Sequence, residues 1–309
     1  MKRKIRNYFS KFAYSTFVKA QKKGINILPA HFYSSVPDIN FLKKEDFWRQ
    51  PLSFIGVKGK EIDGQVEFVK NVCEPAIIND LKTKNINADA IRENGSYDGY
   101  GVIEADFLYC FIRKFQPKKI IQIGCGVSTS IILRAAKDSN YTPEIICVEP
   151  YPTKFLLELS KQNKVTLLAE KAQVTDMNVL TNLTANDLFF VDSTHTVKPG
   201  SEVNRIILEV LPRLKPNVWV HFHDIYFPYD YRRNVLDGDM FFWGESTLLH
   251  AYLINNASIQ IAVALSMMHY EKPGELSKYF SRYKPQNNSY GLKAVGGDHF
   301  PCSIFLQTL

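Results

Sequence analysis

Apolar residues recur along this chain with two periods, and the alternation between them sets the reading of the fold. Short runs rich in β-branched and aromatic residues, Lys119–Ile123, Glu144–Val148, Val165–Leu168, Asp187–Val191 and Val218–Phe222, have the length and composition of buried strands. Between them lie helical patterns at Thr129–Lys137, Lys154–Gln162 and Gly200–Leu211, the last stopping at Pro212. An amphipathic helix over Ile103–Phe115 precedes the first strand. After the fifth come a helix, Thr247–Ile254, a strand, Ile259–Leu265, and a closing strand, Ser303–Leu306. Strands alternating with helices at this rhythm predict a parallel sheet covered on both faces. The polar stretch containing Pro273, Pro285 and Gly291 reads as a mobile loop.

Residues 1–95 read as an N-terminal extension and 96–309 as the main domain. The first two dozen residues carry Lys2, Arg3, Lys4, Arg6, Lys11, Lys19, Lys22 and Lys23 with no acid, interleaved with Ile5, Phe9, Phe12 and Phe17 on one helical face. Such a helix can dock on the protein's own body with its lysines in water, rest on an anionic membrane surface through residues 1–23, or act as a targeting peptide. Beyond it, Pro29, Pro37, Pro51 and Pro75 punctuate the segment, and a helical pattern over Gln65–Leu81 is interrupted at Pro75. Asn94–Gly101, rich in glycine and tyrosine, reads either as a lid or as a plain connector.

Composition changes this picture little. A hydrophobic content of 45% and a charged content of 22% suit a soluble globular protein. The net charge of +7 is concentrated in the basic helix, and no aromatic–basic module of a nucleic-acid binder accompanies it. The five cysteines are scattered, without a Cys-x-x-Cys pair, which argues for free thiols in a reducing compartment and against a cysteine zinc site. No apolar run is long enough to span a bilayer and no signal-peptide core follows the N-terminus. The expected location is cytoplasmic, with peripheral contact at the inner membrane surface as the alternative for the basic helix.

The chemistry concentrates where strands end. Ile120–Ile123 breaks into Gly124-Cys125-Gly126 and then a cluster, Ser128, Thr129 and Ser130, that opens a helix. Glycine there lets the backbone approach a ligand, and free N–H groups at a helix start favour polar or anionic groups. Glu149, followed by Pro150, stands at the tip of the second strand, where a nucleotide-type ligand offers its ribose hydroxyls. Asp192-Ser-Thr-His195 follows the fourth strand and His223-Asp224 the fifth. In parallel sheets ligands bind outside the carboxyl ends of the strands, so these residues are expected to line one crevice. A tight structural turn is the alternative reading of the Gly-x-Gly by itself.

With these stretches laid out, the chain from about Tyr97 onward resembles the class I S-adenosylmethionine-dependent methyltransferases. Within them it looks closest to a bacterial group associated with polysaccharide and glycan biosynthesis. The closer likeness is carried by His31–Pro37, Ile121–Gly126, Val148–Pro152, Phe190–His195, Gly200–Asn204 and Val220–Ile225. The resemblance implies a Rossmann-like, doubly wound α/β fold with a seven-stranded sheet whose last strand is antiparallel. It implies S-adenosylmethionine held by Gln122, Gly124, Cys125, Gly126, Ser128, Thr129, Glu149, Pro150 and Asp192, with Glu149 on the ribose. The family usually has an acid where this chain has Gln122, which can accept a hydrogen bond but supplies no charge against the cofactor's ammonium.

Methyl transfer to a hydroxyl needs alignment and removal of a proton. His195 is the first candidate base and His223 the second, with Asp224 beside them; each histidine alone could equally tie down a loop. His221 alternates to the opposite face of its strand and is expected to be structural. Asp192 and Asp224 could instead hold a divalent cation such as Mg2+. Tyr226, Tyr229, Tyr231 and Trp243 form a candidate aromatic wall for a sugar or other small polar acceptor. Two other functions fit the residues: an NAD(P)-dependent oxidoreductase, against which Thr129 replaces the third glycine, and a non-catalytic cofactor-binding subunit.

Overall fold

The computed structural model describes residues 2–26, 32–95, 99–236, 241–288, 291–294 and 301–309. The chain falls into two compact units, Met1–Trp48 and Arg49–Leu309. The first contains helix α1 (Lys2–Gln21) and one short turn of helix, α2 (Ile39–Leu42). Asp38 caps α2 by accepting from the Phe41 N–H, as expected of a carboxylate placed before a helix start.

The second unit opens with α3 (Ile62–Val72), α4 (Pro75–Thr83) and α5 (Ile86–Asn94), so the segment after Trp48 belongs with the sheet domain rather than with the basic helix. Pro75 sits at the first turn of α4, where its missing N–H has no helical partner to lose. There follow α6 (Val102–Phe115), β1 (Lys119–Ile123), α7 (Val127–Asp138), β2 (Glu144–Val148), α8 (Lys154–Lys161), β3 (Thr166–Leu168), α9 (Met177–Leu180), β4 (Leu188–Val191), α10 (Glu202–Arg205) and β5 (Trp219–Phe222). Then come α11 (Glu245–Leu253), β6 (Ile259–Ala264), α12 (Leu265–Glu271), α13 (Pro273–Tyr279), the hairpin β7 (Pro285–Asn288) and β8 (Gly291–Ala294), and β9 (Ile304–Thr308).

Seven strands form one sheet in the order β3-β2-β1-β4-β5-β9-β6, with β9 antiparallel to both neighbours and the rest parallel. Each strand alternates its side chains between two apolar layers. Ile120, Leu188, Phe190 and Phe305 pack against α6, whose residues 103–112 are all buried. Ile121, Ile123, Phe189, Val191, Val220, Phe222 and Leu306 pack on the other face against Ile206, Ile207, Leu249 and Leu253. This is the doubly wound, seven-stranded sheet expected, with its last strand antiparallel.

The polar stretch after β6 is not one loop. Its charges and Pro273 hide two short helices that bury Met268 and Leu276 against the α6 layer. The helix expected over Gly200–Leu211 is α10 followed by a wider π turn, Ile206–Val210, and a 3-10 turn, Leu211–Arg213, at Pro212. Residues 96–98, at the centre of the glycine–tyrosine loop, lie outside the described residues.

Asp106, like Glu104 on the same helix, is a deeply buried charge of α6, 2% exposed, with Oδ1 lacking a hydrogen-bond partner. Burial outweighs the pull of Arg282, 3.3 Å from Oδ2, and raises its pKa to about 7. Between the ordinary carboxylate pKa and that value the folded chain holds the proton longer than the unfolded one, so this group's contribution to stability falls as pH rises through the window. Asp106→Asn should therefore gain on the wild type between pH 5 and pH 8, by on the order of 2 kcal/mol. Urea midpoints at the two pH values measure it, and a pH-independent difference would refute the assignment.

Candidate active site

Strand register builds the site before any side chain is considered. Ile123 pairs with Val148 on one side and Val191 on the other, and Val191 pairs with Phe222. The residues that follow, Gly124, Glu149, Asp192 and His223, therefore stand in one row along the carboxyl edge. The ladder carries one step into that row: the Gly124 N–H donates to Val148 O, that of Asp192 to Ile123 O, and that of His223 to Val191 O.

Gly124 has φ +79°, and a Cβ added there would lie 1.7 Å from the Asp192 carbonyl oxygen. Only glycine allows β1 to turn this close to β4. Glu149 then locks the turn, accepting the Cys125 N–H at 3.2 Å and the Tyr151 N–H at 2.9 Å on different oxygens. A cleft of about 190 Å³ opens here, lined by Gly124, Cys125, Gly126, Ser128, Glu149 and Asp192, together with Asn94, Tyr100 and Thr153. Of the residues expected to hold a cofactor, Gln122, Thr129 and Pro150 do not line it. Gln122 is fully buried beneath the turn, donating to Ser128 Oγ at 2.6 Å and accepting from Thr129 Oγ1 at 2.8 Å. Its amide organises the helix start, which a carboxylate, an acceptor only, could not do with both hydroxyls in the same way. A larger groove, about 690 Å³, lies at the opposite edge of the sheet between α7 and α8 and contains none of the strand-tip residues.

Beside the cleft the two histidines meet. His195 Nε2 is 3.6 Å from Asp192 Oδ1 and 3.5 Å from Asp224 Oδ2, and His223 Nδ1 is 3.4 and 3.6 Å from the same two oxygens. The outer nitrogen of each ring is held by a buried glutamate: His195 Nδ1 by Glu245 at 2.7 Å, His223 Nε2 by Glu104 at 2.9 Å. Glu104 also accepts from the Cys302 N–H and the Ser303 hydroxyl, tying α6 to the start of β9. Tyr226 donates to Asp224 Oδ1 at 2.8 Å, and the Trp243 ring lies 4.8 Å from that of His195. His195 and Asp224 both adopt the left-handed region, φ +58° and +55°. Such backbone costs roughly 1–3 kcal/mol per residue and persists where the surroundings over-determine it, typically at functional sites.

These charges shift one another. Burial works against protonated His195, but Glu245, Asp224 and Asp192 outweigh it and raise its pKa to about 9. His223 is likewise raised against burial by Glu104, Asp192 and Asp224. Asp224 is pushed by burial in one direction and by both imidazoles in the other, to about 2. His221 lies apart on the other face of β5, fully buried between Tyr100 and Ser303, and burial drives its pKa well down. Asn204 hydrogen-bonds the Lys198 carbonyl, away from the histidines. Glu104, Glu245 and Tyr100 were not marked by sequence reasoning; a charged residue inside the apolar run Ile103–Phe111 was the one available signal.

Residues 121–225 match the sequence model of a methyltransferase domain family, a span that begins inside β1 and ends one residue after Asp224. Over residues 121–225 the chain carries a methyltransferase domain. The domain match takes in every strand tip of the site from Gly124 to Asp224. An uncharacterized protein of Archaeoglobus fulgidus is 24% identical over 185 residues, covering 57% of this chain and 80% of that one. Among solved structures, the SAH-bound methyltransferase of Podospora anserina is 16% identical, with 92% of this chain and 99% of that one covered and a TM-score of 0.39. The SAH-bound plantazolicin methyltransferase BamL is 13% identical, with 80% and 95% covered and a TM-score of 0.37. No helix among the described residues is long and apolar enough to cross a membrane.

Gly124→Ala tests the turn of the methyltransferase domain directly. Its Cβ has no room and its φ is wrong for alanine, so a loss of about 3 kcal/mol or more in unfolding free energy is expected. Wild-type stability in the variant, read by thermal or urea unfolding, would show that β1 and β4 do not approach as described.

Proposed function

We propose that the chain transfers a methyl group from S-adenosylmethionine to a hydroxyl of a sugar or related small polar acceptor. The observation that carries this reading is the double position of Asp192. It lines the cleft with Gly124 and Glu149, and its carboxylate reaches both His195 and His223. Donor and proton-handling groups are thus adjacent. The cleft fits the donor in kind: glycine backbone without Cβ, and a Glu149 carboxylate whose oxygens are fixed by backbone and retain lone pairs for ribose hydroxyls. The Trp243 ring beside His195 supports a ring-shaped acceptor, and the sequence resemblance favours a glycan.

In the reaction the acceptor oxygen attacks the methyl carbon, the carbon–sulfur bond breaks, the sulfonium becomes a neutral thioether, and the hydroxyl proton leaves to the protein. Asp224 is the carboxylate that takes that proton; His195 and His223, whose pKa values the surrounding carboxylates raise, enter already protonated and hold Asp224 in place. Asp192 and Asp224 also offer carboxylates at which a divalent cation could acidify the hydroxyl.

Calorimetry should show one S-adenosylhomocysteine per chain and no binding of NAD. Radiolabelled methyl transfer to a panel of glycans should proceed with the wild type, and Asp224→Asn should lower kcat by a hundredfold or more while changing S-adenosylhomocysteine affinity by less than threefold. Failure to bind S-adenosylhomocysteine would overturn the reading.

A further inference from the structure

We infer that the first 48 residues form a docking surface for an anionic lipid bilayer. They make up the first compact unit of the chain. Across residues 12–26 and 32–48 of that unit no side chain is buried. Six aromatic rings, Phe12, Tyr14, Phe32, Tyr33, Phe41 and Phe47, stand open to solvent, from 51% exposed at Phe41 to 93% at Phe32. In the remaining described residues only Tyr151 and Phe241 are comparably exposed aromatics. Exposed apolar surface gathered in one small unit marks contact with another body.

The rings of residues 32–48 are held by polar ties, not by a core. Asp38 caps α2, and the Trp48 indole N–H donates to the Leu42 carbonyl at 2.9 Å, so the segment after α2 turns back on it. Phe41 and Phe47 then stand with ring centroids 6.3 Å apart, and Phe32 meets Tyr33 edge to face at 5.3 Å. Both pairs remain exposed. In α1, a helix of 20 residues, Ile5, Phe9 and Phe12 recur at i, i+4 and i+7, the spacing of one apolar stripe. Phe12 of that stripe is 67% exposed. The helix is not apolar enough to cross a bilayer, so its place is in the plane of the interface.

Charge selects the occupant. Residues 1–48 hold ten lysines and arginines against three acids, a net +7, which is the net charge of the whole chain. No acid precedes Asp38. A second copy of the chain seated here by two-fold symmetry would set like charges against each other. A nucleic-acid duplex satisfies the charge but gives the apolar stripe nothing to enter. An anionic bilayer meets both demands. Its surface potential attracts each nearby Lys or Arg by roughly a fivefold gain in partitioning. The boundary between headgroups and acyl chains takes Phe and Tyr rings, which favour that depth.

The test uses the full chain and sedimented vesicles at about 0.1 M salt, either phosphatidylcholine alone or with about 30% phosphatidylglycerol. The chain should bind the anionic vesicles at least tenfold more tightly than the neutral ones, and less tightly as salt is raised to about 0.5 M. Lys19, Lys22 and Lys23 are exposed, and Lys19→Gln, Lys22→Gln and Lys23→Gln combined should weaken binding at least tenfold. Phe12→Ser with Phe32→Ser should weaken it at least fivefold. Circular dichroism and thermal unfolding of both variants should match the wild type, since none of these side chains is buried. The proposal is overturned if the wild type does not sediment with anionic vesicles, if both variants bind as it does, or if a DNA duplex binds more tightly than the vesicles. S-adenosylhomocysteine binding, measured separately, reports on the methyltransferase reading, on which this inference does not rest.

Discussion

Everything at the carboxyl edge of this sheet depends on the register of three parallel pairings. Because Ile123, Val148, Val191 and Phe222 stand in line, the next residue of each strand falls in one row. A slip of one residue in any strand would turn its apolar set from one layer to the other, so burial on both faces holds the register. The contact of Gly124 with the Asp192 carbonyl is the tightest expression of that constraint. It admits one residue type and brings a cofactor-type turn and an acid–imidazole cluster within one side chain of each other.

Charge burial is the second theme. Glu104 and Glu245 are nearly inaccessible, and each would be costly without a partner. Their partners are the outer nitrogens of His223 and His195, which fixes how both rings are turned. The left-handed backbone at His195 and Asp224 completes the aim. Four groups thus converge on one small volume, and the local cost is met by two extensive apolar layers.

Much of the fold was legible in the sequence because each core strand is a short apolar run, and four of them, β1, β2, β4 and β5, are closed by a glycine, acid or histidine. All seven were read near their observed positions, including Ile259 and Ser303 near the starts of the last two. The helices after β6 were not, since α12 and α13 are only seven residues each and Pro273 looks like a loop signal when it is an N-terminal helix residue. Likewise Gln122, placed by resemblance at the cofactor, turns inward to two hydroxyls of the helix start.

The sequence alone determined the local alternation, the strand tips and the chemistry each tip carries, because those follow from side-chain pattern over a few residues. Tertiary structure alone decided which atoms meet. Glu104 reaches His223 across 119 residues, Glu245 reaches His195 across 50, and Cys302 comes to Asp224 across 78. Such contacts are set by how helices lie on the sheet and by β9 entering between β5 and β6. No local pattern encodes them, for they exist only once the apolar layers have packed.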